Sequence, residues 1–163
     1  MTATDVRKDP TALTMTVTSE WDAPIALVWQ LWADPRKLER WWGPPTFPAT
    51  VVEHDLRPGG KVSYFMTSPE GDRHHGWWKV LSVEEPHRLH LADGFADTDG
   101  NPNDALPTTH FTVTFAKLPS GGTRMVIESL FPSREAMDQL IEMGMEQGIA
   151  AALGQTDSIL AAT

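Results

Sequence analysis

The side chains with chemistry to offer are six histidines, 22 carboxylates and a single tyrosine, and the chain has no cysteine. That excludes a thiolate nucleophile, a thiolate metal site and any disulfide. Metal binding by histidine needs rings that converge. His74 and His75 are adjacent on a predicted strand and so point to opposite faces. His87 and His90 diverge as well, alternation turns His54 away from Glu53 and Asp55, and His110 precedes an inward Phe111 and faces solvent. Neither a metal nor a cofactor is expected. The acidic run Asp97 to Asp104 invites a calcium reading, but such a loop takes glycine at its sixth position and glutamate at its twelfth. Counted from Asp97, those positions hold Pro102 and Thr108, so the run is read as a solvated turn.

Gly59-Gly60 and Gly121-Gly122 both join strands, so neither makes a phosphate loop opening a helix. No serine lies in a Gly-x-Ser-x-Gly elbow. One carboxylate stands apart: Glu128, mid-strand within Met125-Val126-Ile127-Glu128-Ser129-Leu130. If the face it shares with Val126 and Leu130 is concave, Glu128 is a buried acid or base. If that face is convex, it is a surface group. No catalytic residue is assigned.

These side chains must be positioned by elements that the hydropathy pattern outlines. Residues 1–11 are polar, lack periodicity and read as a flexible lead-in to a single domain over 12–163. Leu13, Met15 and Val17 alternate with threonines, the mark of a half-buried strand. Ala23-Pro24 and Asp34-Pro35 are helix starts. The first leads Ile25, Val28, Trp29 and Trp32 along one helical face, and the second opens a helix through Leu38 to about Trp42. Six strands follow: Phe47 to Leu56, Lys61 to Ser68, His75 to Val83, His87 to Ala92, one around Phe111 to Phe115, and Thr123 to Phe131. Short turns between them imply antiparallel pairing. Pro132-Ser133 then caps one long helix with Met137, Leu140, Ile141, Met145, Ile149, Leu153 and Leu160 on a stripe. A lone helix must bury that stripe on the sheet. The expected fold is α+β, a curved antiparallel sheet of about seven strands wrapped around a C-terminal helix, with two short helices after the first strand.

The helix stripe also holds Gly144, Gly148 and Ala152 at intervals of four. Each interior glycine costs roughly 1 kcal/mol relative to alanine. Either a strand backbone approaches closely there or space is left beneath the helix. Gly154 lies off this row and reads as a bend near the helix end.

Composition narrows the partners. Hydrophobic residues make up 40% and charged residues 21%, a globular balance, and seven tryptophans with seven methionines suit an irregular apolar interior. A net charge of −9 with no basic face beyond Arg36, Lys37 and Arg40 disfavours nucleic acid. No run approaches the ~20 apolar residues of a membrane span. The absence of cysteine and of a signal-like start fits the cytoplasm. Monomer and homodimer both remain open.

Five motifs in order now carry a resemblance. They are Trp32-Ala33-Asp34-Pro35 with Leu38 and Trp41-Trp42-Gly43-Pro44; Asp55-Leu56-Arg57-Pro58-Gly59-Gly60; Gly76-Trp77-Trp78 through Pro86-His87-Arg88-Leu89; Gly122-Thr123-Arg124; and Met143-Gly144-Met145-Glu146-Gln147-Gly148. Together they resemble stand-alone bacterial proteins related to the C-terminal domain of the activator of the heat-shock protein 90 ATPase. These belong to the START-like (SRPBCC) superfamily, which includes polyketide cyclases, pollen allergens and lipid-transfer domains. The resemblance implies a helix-grip fold with a cavity between sheet and helix, open near the short helices. Around that space we place Trp42, Phe47, Val62, Tyr64, Met66, Trp78, Phe111, Ile141, Met145 and Gly148 as ligand-binding residues, with Tyr64 as a polar anchor. The expected function is binding of a small hydrophobic or amphipathic molecule. Two alternatives stand beside it. One is a polyketide cyclase- or dehydratase-like enzyme using Glu128, Tyr64 and a histidine; the other is a chaperone ATPase co-activator.

Overall fold

The computed structural model describes residues 5–162. Strict alternation shapes the strand read first: along β2 (Thr14–Trp21), Met15, Val17, Ser19 and Trp21 are buried while the residues between them are half-buried. β1 (Asp5–Asp9) precedes it, and after two helices six further strands follow: β3 (Ala49–His54), β4 (Lys61–Thr67), β5 (Arg73–Glu84), β6 (Arg88–Ala96), β7 (Thr109–Lys117) and β8 (Thr123–Leu130). All pair antiparallel in one eight-stranded sheet ordered β1-β2-β8-β7-β6-β5-β4-β3. Bulges at Val51/Glu53 and Val80/Ser82 bend it.

The eighth strand is β1 (Asp5–Asp9), which corrects the reading of residues 1–11 as a flexible lead-in. Residues 1–4 of that lead-in lie outside the described residues. β1 pairs with the edge of β2, and only Val6 is even half-buried. Backbone pairing to β2 makes most of this strand, with Val6 its one core contact, so no side-chain period announces it. Lys8 of β1 also reaches Glu146 across 3.2 Å.

Helices α1 (Ile25–Ala33) and α2 (Pro35–Trp41) connect β2 to β3 at the far edge. The carboxylate of Asp34 accepts from the Arg36 amide at 2.9 Å, so the Asp-Pro pair opens α2 as expected. The Pro24 carbonyl accepts from Leu27 and Val28. Both helices turn tryptophan inward. The Trp32 ring lies 5.1, 5.8 and 5.7 Å from those of Trp41, Trp42 and Trp78, and its Nε1 donates to the Met125 sulfur at 3.3 Å.

The long C-terminal helix is in fact three segments: α3 (Arg134–Glu142), α4 (Met145–Leu153) and α5 (Thr156–Ala161). Ser133 caps α3, its hydroxyl accepting from the Ala136 amide. The first break falls at Met143-Gly144, where Gly144 takes a left-handed φ of 94° that glycine adopts at little cost. Gly144 is therefore the N-cap of α4, not a helix-interior residue. Gly154 ends α4. A buried relay fixes α5: Trp21 Nε1 donates to Thr156 Oγ1 at 3.0 Å, which donates to the Leu153 carbonyl at 2.7 Å. Thr156→Val should strand both partners and cost about 1–3 kcal/mol in urea denaturation, against little change if the relay is incidental.

Candidate functional site

Where α3 and α4 cross the concave face, the interior is not filled. A cavity of about 400 Å³ lies there. The sheet contributes Met15, Val17, Tyr64, Met66, Asp93, Phe95, Thr109, Phe111, Ile127 and Ser129; the segment after α2 gives Trp42, Pro44 and Phe47; the roof is Leu140, Met143, Gly144, Met145, Gly148 and Ile149. Of the residues placed around this space from sequence, Trp42, Phe47, Tyr64, Met66, Phe111, Met145 and Gly148 line it.

Three do not. Val62 and Trp78 are wholly buried at the filled end, paired across β4 and β5, with the Trp42 ring 4.9 Å from that of Trp78. Ile141 packs half-buried beside the core, on α3 next to the inward face that Met137 and Leu140 occupy.

Gly148 settles the two readings of the glycine row. A methyl group built on it would meet nothing within 4 Å, so the glycine faces open space and not a strand backbone.

The polar groups of the cavity come from cross-strand registry. Val62, Trp78, Asp93 and Thr109 stand opposite one another in a row across β4 to β7. One step along, Gly76 sits between Tyr64 and Phe95. A Cβ on Gly76 would lie 2.5 Å from the Tyr64 Cζ and hydroxyl oxygen. The missing side chain lets the tyrosine lie across β5, and its hydroxyl donates to Asp93 Oδ1 at 3.3 Å.

Asp93 keeps some accessible surface, but that surface faces the cavity. Burial raises its pKa from 3.8 to about 7, against the lowering effect of donors on Tyr64 and Trp78. Burial, with the Asp93 charge beside it, likewise pushes the Tyr64 hydroxyl well above its usual value. The indole N–H groups of Trp42 and Trp78 approach the Tyr64 oxygen, and that of Trp78 approaches Asp93, closely enough to favour their anions. Neither completes a hydrogen bond with the protein.

Asp93 is the residue that sequence reasoning missed, because the expected strand His87 to Ala92 stops one residue short of it. Its signal was the alternation Leu89, Leu91, Asp93, Phe95 along a strand longer than expected. Glu128 is exposed on the convex face. No histidine lines the cavity: His54 bonds the Trp32 carbonyl at 2.9 Å, and His90 and His110 sit 5.8 Å apart on the outer face. Among the described residues no three His, Cys, Asp or Glu side chains gather as a metal site.

An antiparallel sheet gripping a C-terminal helical segment defines a helix-grip protein. The chain belongs to the family described as Activator of Hsp90 ATPase homolog 1-like protein, which matches residues 22–161. It is similar to a crystal structure of a Mycobacterium smegmatis protein, with 48% identity over 98% of this chain and 97% of that one and a TM-score of 0.89. A solution structure from Arthrobacter aurescens shares 46% identity over 98% and 92% of the two chains, TM-score 0.92. At 20% identity, with coverage of 97% and 83% and a TM-score of 0.59, CalU16 from Micromonospora echinospora shares the fold alone. No curated protein matches.

A carboxyl with a raised folded-state pKa binds a proton that the unfolded chain has released. The stability it contributes is fully present below pH 3.8 and lost as pH rises through about 7. Asp93→Asn removes that proton linkage. Urea midpoints at a series of pH values should show the wild type losing stability relative to the variant across this window. Parallel curves would show that Asp93 titrates normally.

Proposed function

We propose that the protein binds a small apolar or amphipathic molecule in the cavity under α3 and α4. The observation that carries this reading is a space of about 400 Å³ with a mainly apolar lining. Ligand sites are on the order of 300–1,000 Å³, largely apolar, with a few convergent polar groups. Tyr64 and Asp93 are those groups here. Methionines 15, 66, 143 and 145 in the lining adapt to irregular shapes. We also place the protein in the cytoplasm, on its lack of cysteine; among the described residues no helix is long and apolar enough to cross a membrane.

One observation favours a second reading, a cyclase- or dehydratase-like enzyme. Asp93, with a pKa of about 7, is suited to taking and returning a proton within the cavity. Turnover of a bound polyketide-type chain, lost in Asp93→Asn, would mark this reading. A chaperone co-activator needs an exposed apolar face; the large exposed apolar side chains, Val52, Leu81, Leu130 and Met143, sit on separate segments of the chain.

Gly148→Leu tests the binding reading directly. The leucine enters open space and improves helix propensity by roughly 0.5–1 kcal/mol, so the fold should hold or gain stability. Thermal-shift and native mass-spectrometry screens against lipids and aromatic metabolites should find ligands for the wild type that the variant no longer binds. Equal binding by both proteins would place the ligand elsewhere.

A further inference from the structure

The inner end of the cavity is built unlike its walls. Two indole N–H groups, that of Trp42 in the lining and that of Trp78 behind it, are buried without completing a hydrogen bond to the protein. Both tryptophans are more than nine-tenths buried, and the Trp42 ring lines the cavity. A buried donor left unpaired costs about 1–3 kcal/mol. Indole nitrogen only donates, so whatever pairs with Trp42 must present an acceptor. Past the Tyr64 oxygen stands Asp93, whose Oδ1 is taken by the Tyr64 hydroxyl, while the Trp78 indole approaches the same carboxyl without completing a hydrogen bond. Thr109 lies directly across the strand pair from Asp93 and also lines the space.

We propose that this end receives the hydroxyl group of an otherwise apolar alcohol or phenol, its oxygen accepting from Trp42 Nε1–H and its proton donated to Asp93. The inference rests on the cavity-binding reading and narrows it to a ligand class. A hydroxyl fits because it accepts and donates through one atom. Above the Asp93 pKa of about 7, where the carboxyl is ionised, a ketone or ether oxygen satisfies the indole but leaves the carboxylate facing a lone pair. A carboxylate sets two negative charges side by side in a poorly solvated space. An ammonium group suits the aspartate and leaves the indole donor stranded. The aromatic rings of Trp42 and Phe111, in edge-to-face contact at 6.3 Å, then form one wall against the ligand body.

The test is a matched series: 2-naphthol, 2-methoxynaphthalene and naphthalene, titrated into the full chain by isothermal titration calorimetry at about pH 8, above the Asp93 pKa of about 7. The naphthol is expected to bind about tenfold or more tightly than its methyl ether, the ratio that one added charge-assisted hydrogen bond supplies. In Asp93→Ala that ratio should collapse to within about twofold while the ether keeps its affinity, because only the hydroxyl uses the carboxylate. In Trp42→Phe, the naphthol and the ether should both weaken, since both oxygens accept from the indole. Equal wild-type affinities for naphthol and ether would overturn the proposal and leave cavity binding standing. So would a preference that survives in Asp93→Ala. A wild type that binds none of the three overturns this inference together with the reading it rests on. The wild-type comparison decides the matter even if a variant fails to fold.

Discussion

A concave sheet must be filled from within, and this protein fills only one end of it. There, Trp32 is ringed by Trp41, Trp42 and Trp78 at centroid distances of 5.1–5.8 Å, uniting α1, α2 and the middle of the sheet. Aromatic groups stacked edge to face exclude voids and fix the angle at which the two short helices meet the strands. At the other end, the chain supplies methionines, a phenylalanine or two and glycine. The volume left over follows from that uneven distribution of side-chain bulk.

The broken helical segment keeps the space open. A continuous helix over residues 134–161 would carry its stripe straight along the sheet. The turn at Gly144 redirects α4, and Met145, Gly148 and Ile149 roof the cavity. Beneath this roof, Gly76 lets one tyrosine cross a neighbouring strand and meet an aspartate that alternation had turned inward. Low dielectric then makes that carboxyl unusually willing to hold a proton.

Much of this was legible in the primary structure. Asp34-Pro35 has a local mechanism, a carboxylate satisfying the first free amides of a helix, and it operates where expected. Alternation in β2 assigned its faces correctly, with Met15 and Val17 turned inward. Three things were hidden. β1 depends on a partner edge and not on its own hydropathy. Asp93 was obscured because an acidic residue before Gly94 reads as a turn until its neighbours Leu91 and Phe95 are counted on the same face. The break at Gly144 was masked by a hydropathy stripe that continues across it, since periodicity records which residues are apolar and not whether the axis is straight. Glu128 shows the converse: its pattern left two faces open, and only the curvature of the sheet chose the outer one.

The outermost strand has a consequence for how the molecule behaves in a crowd. β1 leaves its outer backbone groups free, as any terminal strand does, but it is short and presents Asp5, Arg7, Lys8 and Asp9. Charges at a sheet margin discourage a second molecule from adding its own strand there. Were these residues trimmed away, the longer and less charged margin of β2 would be uncovered. Self-association through intermolecular β-pairing, not loss of the cavity, would be the first symptom.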